Sequence, residues 1–312
     1  MIQKKRVEKK QEKEAELLLE NNKKEQRGDG CGVIEADDPY FPVLLKQIEN
    51  VPKRLYYRGT LSALKERCFA VVGTRKPTEY GRWAAYKLGK RLSESGFTVV
   101  SGMAAGIDTL AHKGALSAGG RTIAVLGCGI DICFPAANKL LMEEIEEKGL
   151  LLSEYPPGYP PSKFTFPKRN RIISGLCEGI VVVEAGLASG SLITAERAAE
   201  QGRSVYALPG NINSVMSIGA NKLICDGAQP IAVIDDLLWD LGVRKNPDQQ
   251  FYEMLSSNEK KIVALITEKG EVTSSFLCQT MKLPASKVNE ILTVLEMKGI
   301  ICTYFGKIFI AK

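Results

Sequence analysis

Between residues 68 and 208, short apolar, β-branched runs recur, each followed by a glycine-bearing loop and then a helical pattern. This rhythm restricts the fold more than any other feature. The runs are Phe69–Val72, Phe97–Val100, Thr122–Leu126, Leu150–Leu152, Ile180–Val183 and Val205–Leu208. They are apolar at consecutive rather than alternate positions, as expected of parallel strands covered on both faces. Helices read at Glu79–Ser95, Ile107–Ser117, Asn138–Lys148, Arg169–Cys177 and Leu192–Gln201. Such alternation predicts an α/β fold, a doubly wound, Rossmann-like parallel sheet with right-handed crossovers.

The flanks differ in composition. Residues 1–30 mix Lys and Glu around Leu17-Leu18-Leu19 without a sustained apolar stripe, and read as a solvated, charged arm. Residues 31–67 carry turn chemistry (Asp37-Asp38-Pro39, Phe41-Pro42) and a strand at Leu55-Tyr56-Tyr57, a lead-in to a main domain expected over 31–243. A polar linker near Arg244–Gln250 precedes helices at Glu259–Glu268, Ser274–Met281 and Ala285–Lys298. Two β-like segments follow, Ile300–Tyr304 and Lys307–Ile310, joined through Phe305-Gly306. Three helices and a hairpin outline a small C-terminal winged-helix domain over 253–312. In its third helix Val288, Ile291, Leu292 and Leu295 fall at i, i+3, i+4 and i+7, one core-facing stripe.

At 312 residues the chain can bury one large core and a small second one. Its eight cysteines form no Cys-x-x-Cys pair and read as small buried hydrophobes of a reducing compartment. With His112 the only histidine, neither a metal site nor a cofactor is expected. No apolar stretch is long enough to cross a bilayer and the N-terminus lacks a signal-peptide core, so a cytoplasmic location is expected. The formal net charge of +6 permits nucleic acid as a partner without requiring it. The placement of the charges decides.

In a doubly wound sheet, ligands sit beyond the carboxyl ends of the strands. Five loops there are rich in small residues: Gly73-Thr74-Arg75-Lys76, Ser101–Gly106, Gly127-Cys128-Gly129, Gly186–Ser191 and Pro209-Gly210-Asn211. Together they allow phosphate to approach the backbone closely. Neither Gly-x-x-x-x-Gly-Lys-Ser/Thr nor Gly-x-Gly-x-x-Gly is present, which argues against a P-loop ATPase and against dinucleotide binding. The segment Lys163-Phe164-Thr165-Phe166-Pro167-Lys168-Arg169-Asn170-Arg171 concentrates four cations with two aromatics. Pro167 is expected to fix the entry to the following helix, with cations near its start, where they oppose the helix dipole. Phosphates and stacked bases would suit such a segment.

Four blocks carry a resemblance: Val71–Arg75, Ser101–His112, Phe166–Ser174 and Gly190–Glu196. In order and spacing they resemble the DNA-processing protein A (DprA, or Smf) family. The resemblance implies a protein that binds incoming single-stranded DNA during natural transformation, helps load the RecA recombinase on it, and dimerises through the Rossmann-like domain. It implies phosphate contacts for Arg75, Lys163, Arg169 and Arg171, and base stacking for Phe166. Gly102, Gly190 and Ser191 would line the pocket with backbone donors, and Gly73, Lys168 and Asn170 fall within the matching blocks.

Other readings compete. Asp108 and His112, four apart on one helix face with Glu184 and Glu196 nearby, could do acid–base work, although no nucleophile or metal cluster accompanies them. The Gly190–Glu196 loop distantly resembles the phosphate loop of the cytokinin-activating phosphoribohydrolases, but lacks its Pro-Gly-Gly. A third reading makes the winged helix the DNA reader through Ser286, Lys287 and Asn289, beside Glu290 and Glu296. The compact apolar segment Leu223-Ile224-Cys225 reads as a dimer contact.

Overall fold

The computed structural model describes residues 29–243, 255–304 and 306–311. The charged arm up to residue 28, the linker at 244–250 and Phe305 lie outside the described residues. The chain divides into two compact units, the first ending at Val243.

The first unit is built on one sheet. Its strands, in chain order, are β1 (Asp29–Glu35), β2 (Arg54–Thr60), β3 (Cys68–Val72), β4 (Thr98–Ser101), β5 (Thr122–Leu126), β6 (Leu150–Ser153), β7 (Gly179–Val182), β8 (Ser204–Ala207) and β9 (Gln229–Pro230). The spatial order is β1-β2-β6-β5-β4-β3-β7-β8-β9. From β6 to β9 every pairing is parallel, while β2 runs antiparallel to β6 and to β1. The chain winds outward from β3 through β4 and β5 to β6, then returns to the other side of β3 with β7. The crevice between β3 and β7 is therefore the topological switch point. The expected doubly wound sheet is present; the lead-in contributes a two-stranded antiparallel edge, of which only the Leu55–Tyr57 strand was expected.

The helices cover both faces. They are α1 (Glu79–Glu94), α2 (Ile107–Ser117), α3 (Lys139–Lys148), α4 (Thr165–Gly175), α5 (Gly190–Glu200), α6 (Ile218–Cys225) and α7 (Ile234–Asp240). Phe69, Val71, Val99 and Val181 face the core formed with α1, α2 and α7. Their strand neighbours Ala70, Val72, Val100 and Val182 face the opposite core, with α4, α5 and α6. Strict alternation of two buried faces explains why these runs are apolar at every position. Helix α1 begins where Thr78 accepts the Gly81 N–H at 3.2 Å.

Helix α4 starts four residues before the expected Arg169. Pro167 is its third residue, where a missing N–H costs nothing because the first four N–H groups of a helix have no intrahelical acceptor. Among the cysteines, Cys68, Cys128 and Cys177 are buried, with burial pushing the Cys68 thiol up to about 12. Cys31, Cys225 and Cys302 are exposed, so the buried reading fails for those three. No helix among the described residues is long and apolar enough to cross a membrane.

The second unit has three helices, α8 (Ser257–Lys269), α9 (Ser274–Met281) and α10 (Ala285–Met297), followed by the antiparallel pair β10 (Ile301–Tyr304) and β11 (Lys307–Ile310). Ser256 and Glu259 close a capping box at the start of α8. Val288, Ile291, Leu292 and Leu295 are all buried in its core, as their spacing predicted. On the outer face of α10, Lys287 is paired with Glu290 at 2.8 Å, which cancels the one cation expected to face DNA there.

Candidate functional site

At the carboxyl ends of β3 and β7 lies a cavity of about 980 Å³. Three segments converge on it: the loop after β3, the start of α4, and the loop from Gly186 into α5. Of the residues singled out from the sequence, Gly73, Arg75, Lys163, Phe166, Arg169, Asn170, Gly190 and Ser191 line it. The floor is stitched across strands, since the Thr74 N–H donates to the Glu184 carbonyl at 2.7 Å and the Ile107 N–H to the Thr74 carbonyl at 3.2 Å.

The cation at the base of the cavity is Arg169, only 5% exposed. Its Nη1 donates to the Gly102 carbonyl at 2.8 Å and to the Val125 carbonyl. Burial lowers its pKa to about 10 against the opposing pull of Asp108, so the guanidinium remains charged at neutral pH. Asp108 accepts the Gly102 N–H at 3.1 Å and the Ala104 N–H at 3.3 Å. Burial raises the Asp108 carboxyl, while Arg169 and these donors work the other way. Here Gly102 departs from expectation. Its N–H is already spent on Asp108, and it lies beneath the site rather than lining it. A Cβ there would stand 2.6 Å from the Arg169 guanidinium, so the glycine makes room for the buried cation.

The rim is cationic and aromatic. Arg75, Lys76 and Lys163 form no ion pair among the described residues and are exposed. The Arg75 guanidinium lies 5.6 Å from the centroid of the Phe166 ring, and the Lys163 ammonium 5.2 Å from that of Phe164. Phe166 also meets Phe134, with centroids 5.4 Å apart, and a Cβ at Gly127 would come within 2.7 Å of the Phe166 ring. The glycine after β5 thus seats the aromatic. Phe134, Leu187 and Val215 complete an apolar rim, each at least 43% exposed. Sequence reasoning missed these three; only Leu187, a large apolar residue among the small ones of Gly186–Ser191, carried a signal that could have found it. The start of α5 closes the wall, with Ser189 as its N-cap and Ser191 in its first turn.

Lys168 and Arg171 do not reach this cavity. Phe166, Arg169, Asn170 and Ile173 share one face of α4, while Lys168 and Arg171 project from the opposite one. Arg171 is held by Glu154, with contacts of 2.6 and 2.7 Å.

The acid–base constellation does not assemble. The carboxyl of Asp108 serves backbone N–H groups, and His112 Nδ1 lies 2.6 Å from the Thr122 hydroxyl. Glu184 accepts the Thr78 N–H at 2.8 Å and so braces the start of α1, while Glu196 is exposed on α5. No group of three or more His, Cys, Asp or Glu side chains among the described residues could hold a metal ion. Leu223 and Ile224 of the expected dimer contact are half-buried against the chain's own core, leaving Cys225 exposed.

Comparison with known proteins places this geometry among relatives. The sequence profile described as DNA recombination-mediator protein A matches residues 32–242. The chain is 48% identical over 201 residues to the DNA processing protein DprA of Streptococcus pneumoniae, covering 64% of this chain and 71% of the relative. The X-ray structure of DprA from that organism matches with a TM-score of 0.65 at 45% identity, covering 67% of this chain and 74% of that one. Protein Smf of Synechocystis is 43% identical over 234 residues, covering 73% of this chain but only 58% of the relative. A Helicobacter pylori DNA processing protein A structure, described by its single-stranded DNA binding mode, matches with a TM-score of 0.62 at 32% identity, covering 68% of this chain and 96% of that one.

Proposed function

The chain belongs to the DNA recombination-mediator protein A (DprA/Smf) family, and from that premise we propose that its first unit binds single-stranded DNA in the cavity beside Phe166. The observation that carries this is the pairing of unneutralised rim cations, Arg75 and Lys163, with the aromatic faces of Phe166 and Phe164, above a base formed by the buried Arg169 guanidinium. Lys and Arg hold phosphates and aromatic faces take bases of any identity; at the start of α5 the Ser191 and Leu192 N–H groups already donate to Ser189, which leaves the Gly190 N–H to receive a further phosphate. Arg169 acts through charge from beneath rather than by contact. In this reading the protein is a binding module, not an enzyme. It presents single strands to a RecA-type recombinase in the cytoplasm during DNA uptake, and it works as a homodimer through the first unit. A single sedimenting species of monomer mass at micromolar concentration would overturn the dimer.

The test separates charge from stacking. Arg75→Ala and Lys163→Ala should each flatten the dependence of log K on log salt by about 0.7 for a single strand. Phe166→Ala should weaken binding by about 1–3 kcal/mol with the salt slope nearly unchanged. A Phe166→Ala protein that melts early, while its folded fraction binds normally, would reduce Phe166 to a packing residue. The phosphoribohydrolase reading predicts release of free base from AMP, and no observation of the site favours it.

A further inference from the structure

A second cavity, of about 1120 Å³, adjoins the first and shares Pro167 and Ile193 with it as a common wall. It is lined by the other faces of the same two helices: Lys168 and Arg171 from α4 at i, i+3 spacing, and Arg197 from α5 with Gln201, the residue that caps its end, at i, i+4 spacing. Lys53, just before β2, and Arg54, its first residue, add two more cations. Five cations thus meet three carboxylates, Glu49, Glu154 and Glu200. Arg171 is neutralised by Glu154 at 2.6 Å, Arg197 by Glu200 at 2.6 Å, and Arg54 lies 3.7 Å from Glu35. Lys53 and Lys168 are exposed and form no ion pair among the described residues. With Glu49 the one lining carboxylate that forms no ion pair among the described residues, the cavity keeps a net positive charge, carried by Lys53 and Lys168. Unlike the first, it has no aromatic side chain in its lining.

We propose that this second cavity is a backbone subsite, which receives the phosphodiester chain of the same strand as it passes over the Pro167–Ile193 wall from the first. The inference rests on the proposed function of the first cavity. Its chemistry is distinct: cations without aromatic faces hold phosphates and ignore bases. Bases would be read by stacking in the first cavity only, and the continuing strand would be held by charge alone. This gives a role to Lys168, which the first cavity leaves unused, while Arg171 stays tied to Glu154.

The experiment compares three oligonucleotides: about six thymidines, about twenty thymidines, and about six thymidines extended by abasic phosphodiesters, lengths that bracket what one binding module occupies. Longer lattices offer more binding registers, so the readout is the salt slope rather than affinity alone. Wild-type protein should show a slope steeper by about 1.4 for both extended strands than for the short one, from about 0.7 per contact. Lys53→Ala/Lys168→Ala protein, checked by its melting temperature, should bind the short strand as wild type does and lose the added slope. An equal slope for short and extended strands on wild type, or an added slope that survives the double substitution, would overturn the second subsite alone. An extension that works only when it carries bases would also overturn it. Failure of the short strand to bind wild-type protein would overturn the first reading, and this one with it.

Discussion

His112 is the only histidine in the chain, which makes its titration separable from everything else. It is fully buried on α2, and its Nδ1 lies 2.6 Å from the Thr122 hydroxyl. That hydroxyl donates its single proton to the Val99 carbonyl at 2.6 Å, so it can only accept from His112. The ring is thereby held as the Nδ1–H tautomer, with Nε2 buried and unpartnered. Burial, reinforced by the charge of Arg169, pushes its pKa down to about 3. In the unfolded chain the imidazole titrates near 6.5. Between these values the unfolded state binds a proton that the folded state does not, so stability rises with pH across the window and is lost as pH falls through it. Lowering the pH from about 7 to about 5 should remove about 2 kcal/mol through this group. Urea unfolding of wild type and His112→Gln at both pH values isolates the term, because carboxylate contributions are common to both proteins. Wild type should lose about 2 kcal/mol more than the variant. Equal losses, or an imidazole resonance in the folded protein titrating near 6.5, would refute the reasoning and restore His112 as an acid–base candidate at neutral pH.

Gly102→Ala should destabilise the first unit by about 1–3 kcal/mol, as overpacking does, because the buried Arg169 guanidinium standing 2.6 Å from the new Cβ is held by two carbonyls and cannot swing away. It should weaken single-strand binding as well, and an unchanged melting temperature would show that Arg169 yields freely. A chain ending at Val243 should retain single-strand affinity, since Lys287 on α10 is already neutralised by Glu290. Loss of most of that affinity would make the second unit the principal reader.

The parallel sheet was legible because strands covered on both faces must be apolar at every position, and β3 to β7 are buried throughout. The edge strand β1 was not, because Asp29-Gly-Cys-Gly-Val33 lacks both alternation and β-branched density, and its pairing with β2 is a tertiary event. Within the candidate site, the cations and the Phe166 ring announced themselves by crowding in one segment. Their division between two cavities was also written there, in the helical spacing of Lys168 and Arg171 against Arg169 and Asn170, once the helix is known to begin at Thr165 rather than Arg169. The role of Gly102 was not legible. A strand-end glycine looks the same whether it admits a phosphate from above or a guanidinium from below, and only the packing distinguishes them.

The central claim, that the cationic and aromatic cavity beside Phe166 takes a single strand, is tested most directly by titrating the protein with single- and double-stranded oligonucleotides of one sequence at two salt concentrations. Stacking on Phe166 requires unpaired bases, so the single strand should bind more tightly at both salts and keep its advantage as charge is screened. Equal affinity for the two forms, or a preference for the single strand that vanishes at the higher salt, would contradict the account.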